Sequence, residues 1–239
     1  MNKTTVLIMK TGETLTPLRA QGEDFENWIR SGLGLETEET PTVSVHLGEQ
    51  LPPVSTLTGV VITGSPAMLT DGAAWNMVAA HWLQDALALG LPVLGICYGH
   101  QLLAHACGGH VDYHPEGREI GTVPVTLTEA ASGDALLGGL PSRFHAHTTH
   151  SQSVLRLPDS AVLLGASAHD AHQAFRIGER AWGVQFHPEF TARIMRTYVQ
   201  VRQAVLREEG YDVDTLLRNV VETPAASAVL RRFAALCGR

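Results

Sequence analysis

At 239 residues and 25.7 kDa the chain is long enough to bury one large core, and a composition 44% hydrophobic and 17% charged excludes a disordered or fibrous protein. Its 24 acidic residues against 17 Lys plus Arg give a formal net charge of -7, which argues against a polyanion binder, since such proteins carry a basic face that displaces counterions. The 3 cysteines (Cys97, Cys107 and Cys237) include no C-x-x-C pair and follow no secretory signal, so no disulfide framework is expected and a reducing, cytoplasmic setting is.

In chain order, the apolar run Thr5 to Met9 is broken by Lys10, too short for a signal peptide, and reads as a first buried strand. A short helix is predicted over Glu23 to Gly32, then strands over Thr42 to Leu47 and Gly59 to Gly64. A Gly/Pro loop leads into a long helix, Ala73 to Leu89, followed by the strand Pro92 to Ile96 and a helix over His100 to Gly108. The strands GVVIT and PVLGI are continuous apolar runs without alternation, as expected where a parallel sheet is covered on both faces. Spaced by helix-length segments, they predict right-handed βαβ units in a three-layer α/β domain with a central mixed, mostly parallel sheet.

From Gly109 to Phe186 strands dominate: GHVDY, GTVPVTL, AVLLGASA, HQAFRIG and RAWGVQF, the last two joined by a turn at Gly178 and Glu179. Beyond them, Phe190, Ile194, Tyr198, Val201 and Val205 recur at spacings of three and four, predicting one buried face of an amphipathic helix. Arg193, Arg196 and Arg202 on the same stretch read as a solvated helix surface. Two further helices, Val213 to Val221 and Ala225 to Leu236, flank Pro224. The expected division is a domain of residues 1–190 with a helical extension, 191–239, packed on it. No stretch reaches the roughly 18–20 apolar residues needed to cross a bilayer.

The most informative segment is GLPVLGICYGHQLLAHACGG. Cys97 follows an apolar strand, precedes a helix and is flanked by Gly95 and Gly99, the Gly-x-nucleophile-x-Gly pattern of a sharp strand-to-helix elbow. A cysteine at a helix N-terminus feels the partial positive charge of unpaired amides, which favours thiolate. The backbone N–H of Tyr98 then becomes a candidate oxyanion donor. Cys107 lacks such a setting and reads as a core residue.

A thiol nucleophile needs a base, and among 12 histidines His187 stands out in WGVQFHPEF. Pro188 biases the preceding residue to extended backbone, which places His187 at a strand end, and Glu189 is near enough to orient its ring. The closely spaced His145, His147 and His150 raise a zinc site as a rival reading, although zinc wants three or four converging ligands, usually with Cys or carboxylate among them.

GICYGHQLLA together with GVQFHPE resembles the class I, or triad, glutamine amidotransferases, most closely free-standing proteins related to the glutamine-hydrolysing domain of GMP synthase. The resemblance runs from the first strand to about Phe190. It implies a flavodoxin-like fold and a catalytic triad of Cys97 as nucleophile, His187 as base and acid, and Glu189 as orienter. It further implies that Gly64 and Ser65 in the GSP loop supply the second oxyanion N–H, and that Gln101 contacts glutamine. His150 and Ser151 in THSQSV fall where relatives hold the amino acid end of the substrate, with Gln152 where an aspartate often stands. GREIG, around Arg118 to Gly121, is similar to a loop beside the pocket. From the residues alone, Gly64 also fits a plain turn, Gln101 a solvated first-turn residue and His150 a support for loop packing.

The activity implied is hydrolysis of the glutamine side-chain amide through a γ-glutamyl thioester, releasing glutamate and ammonia. No cofactor, metal, nucleic acid or membrane is expected. A synthetase partner that accepts ammonia and a homo-oligomer are both left open. The alternatives are a γ-glutamyl peptidase and a non-catalytic binding or regulatory protein on the same fold.

Overall fold

The computed structural model describes residues 4–238. Eleven strands occur among them: β1 (Val6–Lys10), β2 (Thr42–Ser44), β3 (Gly59–Ile62), β4 (Val93–Ile96), β5 (His110–Tyr113), β6 (Glu119–Leu127), β7 (Arg143–His150), β8 (Gln152–Arg156), β9 (Ala161–Ala166), β10 (Ala174–Ile177) and β11 (Ala181–Val184). Nine build one sheet in the order β2-β1-β3-β4-β11-β10-β9-β6-β7, and β5 and β8 form a separate two-stranded ribbon. The stretch β2-β1-β3-β4-β11 is parallel throughout, the strand order of a flavodoxin-like doubly wound sheet. The other four pairings are antiparallel, so parallel and antiparallel pairings are evenly matched.

Two apolar layers sandwich the parallel half, and alternate residues of each strand serve opposite layers. Val6 and Ile8 of β1 and Leu94 and Ile96 of β4 join the layer covered by α2 (Phe25–Leu33), α5 (Ala192–Val201) and α8 (Pro224–Leu236). Leu7 and Met9, with Val60 and Ile62, join the layer covered by α3 (Ala74–Ala88) and α4 (Tyr98–Ala106). Every residue of β1, β3, β4 and β11 is buried. That is why these strands read as uninterrupted apolar runs.

Several expectations change in detail. The strand expected over Thr42 to Leu47 ends at Ser44, and Val45–Leu47 winds into a single 3-10 turn. The amphipathic helix breaks at Arg202, between α5 and α6 (Gln203–Glu208). The buried face follows a four-residue spacing and not the mixed one expected: Ile194, Tyr198 and Leu206 are buried, whereas Val201 and Val205 are 47% and 46% exposed. Strands β7 and β8 were not predicted at all. The helices α7 (Val213–Asn219) and α8 match their predicted ranges closely, and α8 packs on α2 and β7. No helix among the described residues is long and apolar enough to cross a membrane.

Candidate active site

The carboxyl ends of β1, β3, β4 and β11 converge on one cleft, the location where open α/β sheets place ligands. A larger depression of about 510 Å³ lies at the opposite ends of the strands, between Pro92, Arg180 and Cys237, and carries no cluster of reactive groups.

Cys97 sits at the N-cap of α4 with φ 52 and ψ -101. It is the one non-glycine residue with positive φ among those described. Such backbone costs about 1–3 kcal/mol and persists only where surroundings over-determine it. Here they do. A Cβ on Gly95 would fall 2.3 Å from the Gly99 carbonyl oxygen, and one on Gly99 2.5 Å from the carbonyl oxygen of Ile62, so only glycines allow strand, turn and helix to approach this closely. The Cys97 amide donates to the Val184 carbonyl at 2.9 Å, which ties the elbow to β11. The Tyr98 amide is one of the first-turn donors of α4 that no helical carbonyl can satisfy.

His187 lies just past β11, its amide donating to the His147 carbonyl of β7 at 2.8 Å. The imidazole stacks on Phe190, with ring centroids 4.1 Å apart, and its Nδ1 is 2.7 Å from Glu189 Oε1. Nε2 is buried without a hydrogen bond of ordinary geometry among the described residues, which leaves the adjoining Cys97 thiol to share its proton. Burial opposes the charged ring, but the Glu189 carboxylate and the Cys97 thiolate outweigh it and push the His187 pKa up to about 10. Burial likewise opposes ionisation of Cys97, yet the cations of His187 and His150 prevail and hold the thiol below its ordinary value. The two groups therefore titrate as a pair, the thiolate and the imidazolium each favouring the charged form of the other.

The other residues singled out from sequence behave differently from one another. Gly64 abuts His187: a Cβ there would lie 3.0 Å from the imidazole Cε1. The Ser65 hydroxyl donates to the Thr11 carbonyl at 2.8 Å and accepts from the Ala67 amide at 3.1 Å, so it holds the loop in shape and leaves backbone to face the cleft. The Tyr98 side chain is buried and turned away, its hydroxyl bonded to Asn76 Oδ1 at 2.5 Å. Gln101 donates to the Gln152 carbonyl at 2.7 Å and to Gln185 Oε1 at 3.0 Å while still lining the cleft.

His150 borders the cleft, but its ring is held from within the protein. Its Nε2 is 3.0 Å from Glu119 Oε2 and its Nδ1 3.0 Å from the Gln152 carbonyl, so both nitrogens are spent inside the protein. Burial opposes its charge, but Glu119 and Asp170 raise its pKa and favour the cation behind the thiol. Ser151 lines the cleft directly. Gln152 accepts from the Leu69 amide at 2.9 Å and donates to Thr70 Oγ1 at 2.6 Å, bracing the segment after β3. An aspartate could not supply that donor.

The closely spaced histidines that raised a zinc site as a rival reading do not converge. His145 is exposed, whereas the buried His147 bonds Thr122 Oγ1 at 3.1 Å. No group of three or more His, Cys, Asp or Glu side chains among the described residues is placed to hold a metal ion.

The cleft has two lobes that meet at Cys97 and Thr149. One, of about 220 Å³, runs past His187 to Thr14, Phe25 and Tyr198; the other, of about 50 Å³, is floored by Gln101, Ser151 and Gln152. Sequence reasoning missed three contributors. Thr149, whose carbonyl oxygen is 4.0 Å from Cys97 Sγ, lay on the unpredicted β7. Phe190 was read only as a helix-face residue. Arg202, read as solvated surface, is half-buried and lines both lobes.

The family model described as "Glutamine amidotransferase class-I" matches residues 29–204. Over 158 residues the chain is 40% identical to a GMP synthase [glutamine-hydrolyzing] from Aeropyrum pernix, covering 66% of this chain and 28% of that protein. A GMP synthase [glutamine-hydrolyzing] from Porphyromonas gingivalis is 37% identical over 137 residues, or 57% of this chain and 26% of that protein. The chain thus spans about a quarter of the length of the curated relatives it matches. Among solved structures, a glutamine amidotransferase from Thermotoga maritima aligns over 100% of both chains with a TM-score of 0.79 at 22% identity. A glutamine amidotransferase from Methylobacillus flagellatus aligns over 99% of this chain and 93% of its own with a TM-score of 0.71 at 24% identity. At these identities the structural likeness concerns the fold.

Proposed function

We propose that this chain, which belongs to the class-I glutamine amidotransferase family, hydrolyses the side-chain amide of glutamine through Cys97, His187 and Glu189. The observation that carries this reading is the buried Cys97–His187–Glu189 array at a strained elbow, with Glu189 2.7 Å from His187 Nδ1.

In the proposed reaction the Cys97 thiolate attacks the side-chain carbonyl carbon and forms a carbon–sulfur bond. The oxygen that gains negative charge sits against the Tyr98 amide and the Gly64–Ser65 backbone, donors fixed before the reaction begins. His187 gives its Nε2 proton to the departing nitrogen, the carbon–nitrogen bond breaks and ammonia leaves. Water then attacks the γ-glutamyl thioester while His187 takes its proton, and glutamate departs with the thiolate restored. Glu189 keeps the ring in the orientation and charge state both half-reactions need. Gln101, Ser151 and the backbone at His150 hold the glutamyl portion in the small lobe. A synthetase that uses the released ammonia is the partner this reading calls for.

One observation favours a second reading, hydrolysis of γ-glutamyl amides larger than glutamine. The 220 Å³ lobe adjoins His187, the group that protonates the leaving nitrogen, and exceeds what ammonia needs. Glutamate release from glutamine and from a γ-glutamyl dipeptide, measured side by side, separates the two. The glutaminase reading predicts the higher kcat/KM for glutamine. A kcat/KM at least about tenfold higher for the dipeptide, a difference of about 1.4 kcal/mol in transition-state binding, moves the assignment to the second reading.

A further inference from the structure

Arg202 stands between α5 and α6 at φ -94 and ψ 6, its amide donating to the Tyr198 carbonyl at 3.2 Å and its carbonyl accepting from the Leu206 amide at 2.9 Å. Its guanidinium carbon lies 4.9 Å from the Tyr198 ring centroid, and Nη1 donates to Thr149 Oγ1 at 3.3 Å, so the side chain is held in place from two sides. It lines both lobes of the cleft together with Cys97.

The second arginine of the cleft, Arg118, is neutralised by a two-pronged pair with Glu209, at 2.9 Å and 3.1 Å. Arg202 has no carboxylate within ion-pair distance among the described residues. Burial already tells against its charge, and proximity to Arg118 adds to that. A half-buried guanidinium without a counter-ion is costly unless an anion completes it. Its planar fork suits a carboxylate, which it can grip with two parallel hydrogen bonds. Every substrate considered above carries at least one.

We propose that Arg202 is a specificity-determining residue that binds a carboxylate of the substrate while the side-chain amide lies at Cys97. The idea deepens the hydrolase reading and rests on it for the identity of the substrate. The carboxylate is either the α-carboxylate of the glutamyl group or one carried by the leaving portion of a γ-glutamyl amide. In the first case replacing the α-carboxylate by a carboxamide raises KM for the wild type and leaves Arg202→Met indifferent. In the second, the same holds for amidation of the dipeptide's C-terminus.

The test independent of turnover is alkylation of Cys97 by iodoacetate and by iodoacetamide, two reagents of similar size that differ in a carboxylate. In both, the thiolate displaces iodide and a thioether forms. Arg202→Met and Arg202→Gln are expected to lower the iodoacetate-to-iodoacetamide rate ratio by about tenfold or more, the worth of a charge-assisted hydrogen bond, with Arg202→Lys in between. An unchanged ratio in both neutral variants, with both rates falling alike, overturns the proposal and leaves Arg202 acting on thiol ionisation alone. Two neutral replacements keep the measurement decisive if one of them folds poorly. Should the ratio fall while the wild type releases no glutamate from any amide, the carboxylate site stands and the hydrolase reading fails.

Discussion

Cys97→Ala is expected to abolish glutamate release, lowering kcat by on the order of 10⁴-fold or more while the melting temperature stays close to that of the wild type. Removing the nucleophile of a coupled set costs nearly as much as removing the whole set, because base and orienter have nothing left to activate. The fold should tolerate the change. Alanine adopts the positive φ of 52 no less readily than cysteine, and the elbow is held by Gly95, Gly99 and the bond from the residue-97 amide to Val184, none of which involves the thiol. Glutamate assayed by coupled oxidation, with thermal melts of both proteins, checks this. Turnover that survives in Cys97→Ala removes Cys97 from the chemistry.

Glu189→Gln is the second large effect, and it carries a pH signature. The wild-type rate should rise as the thiol ionises, below its ordinary pKa, and fall as the His187 imidazolium loses its proton near pH 10. After burial, which opposes the cation, the Glu189 charge is the largest influence on that ring and the one that raises its pKa most. A neutral amide withdraws that support and can also donate to Nδ1, trapping the tautomer that cannot accept a proton from sulfur. The expected outcome is a loss on the order of 10³-fold in kcat together with an alkaline limb displaced to lower pH. A wild-type rate with an unmoved alkaline limb would show that Glu189 only packs against the ring.

What could be read from the sequence follows from what kind of residue occupies each buried position. Strands β1, β3 and β4 bury apolar side chains on both faces, so burial and strand character announce themselves together. The elbow is legible because two close backbone approaches, at Gly95 and Gly99, each demand a glycine around the nucleophile. His187 is legible because Pro188 restricts its backbone. Strand β7 is the counterexample. It buries His147, Thr148 and His150, polar residues that resemble a loop until Thr122 and Glu119 of the neighbouring β6 are known to meet two of them. With β7 unseen, the support under the His187 backbone and the Thr149 wall of the cleft were unseen too.

Arg202 shows a different limit. A cation near the end of an amphipathic helix reads as solvated by default, yet Arg202 follows the buried Tyr198 by four residues, on the same face, and its guanidinium lies over that ring. Likewise, the resemblance places His150 in the substrate-binding stretch, and only the structure adds that its ring is held by Glu119 and the Gln152 carbonyl. Its positive charge bears on the thiol without a free nitrogen to offer. Motif likeness locates a segment in the fold, but which of its atoms face the cleft is decided by hydrogen-bond partners that are distant in sequence.

The measurement that bears most directly on the central claim is partition of the acyl intermediate with hydroxylamine during glutamine turnover. A γ-glutamyl thioester on Cys97 is attacked by hydroxylamine as well as by water, so γ-glutamyl hydroxamate should form in competition with glutamate, rising with hydroxylamine concentration, and neither product should appear with Cys97→Ala. Ammonia release from glutamine that yields no hydroxamate at any hydroxylamine concentration would contradict the account, because it would mean that water attacks the amide directly and that the thiol at the elbow never carries the glutamyl group.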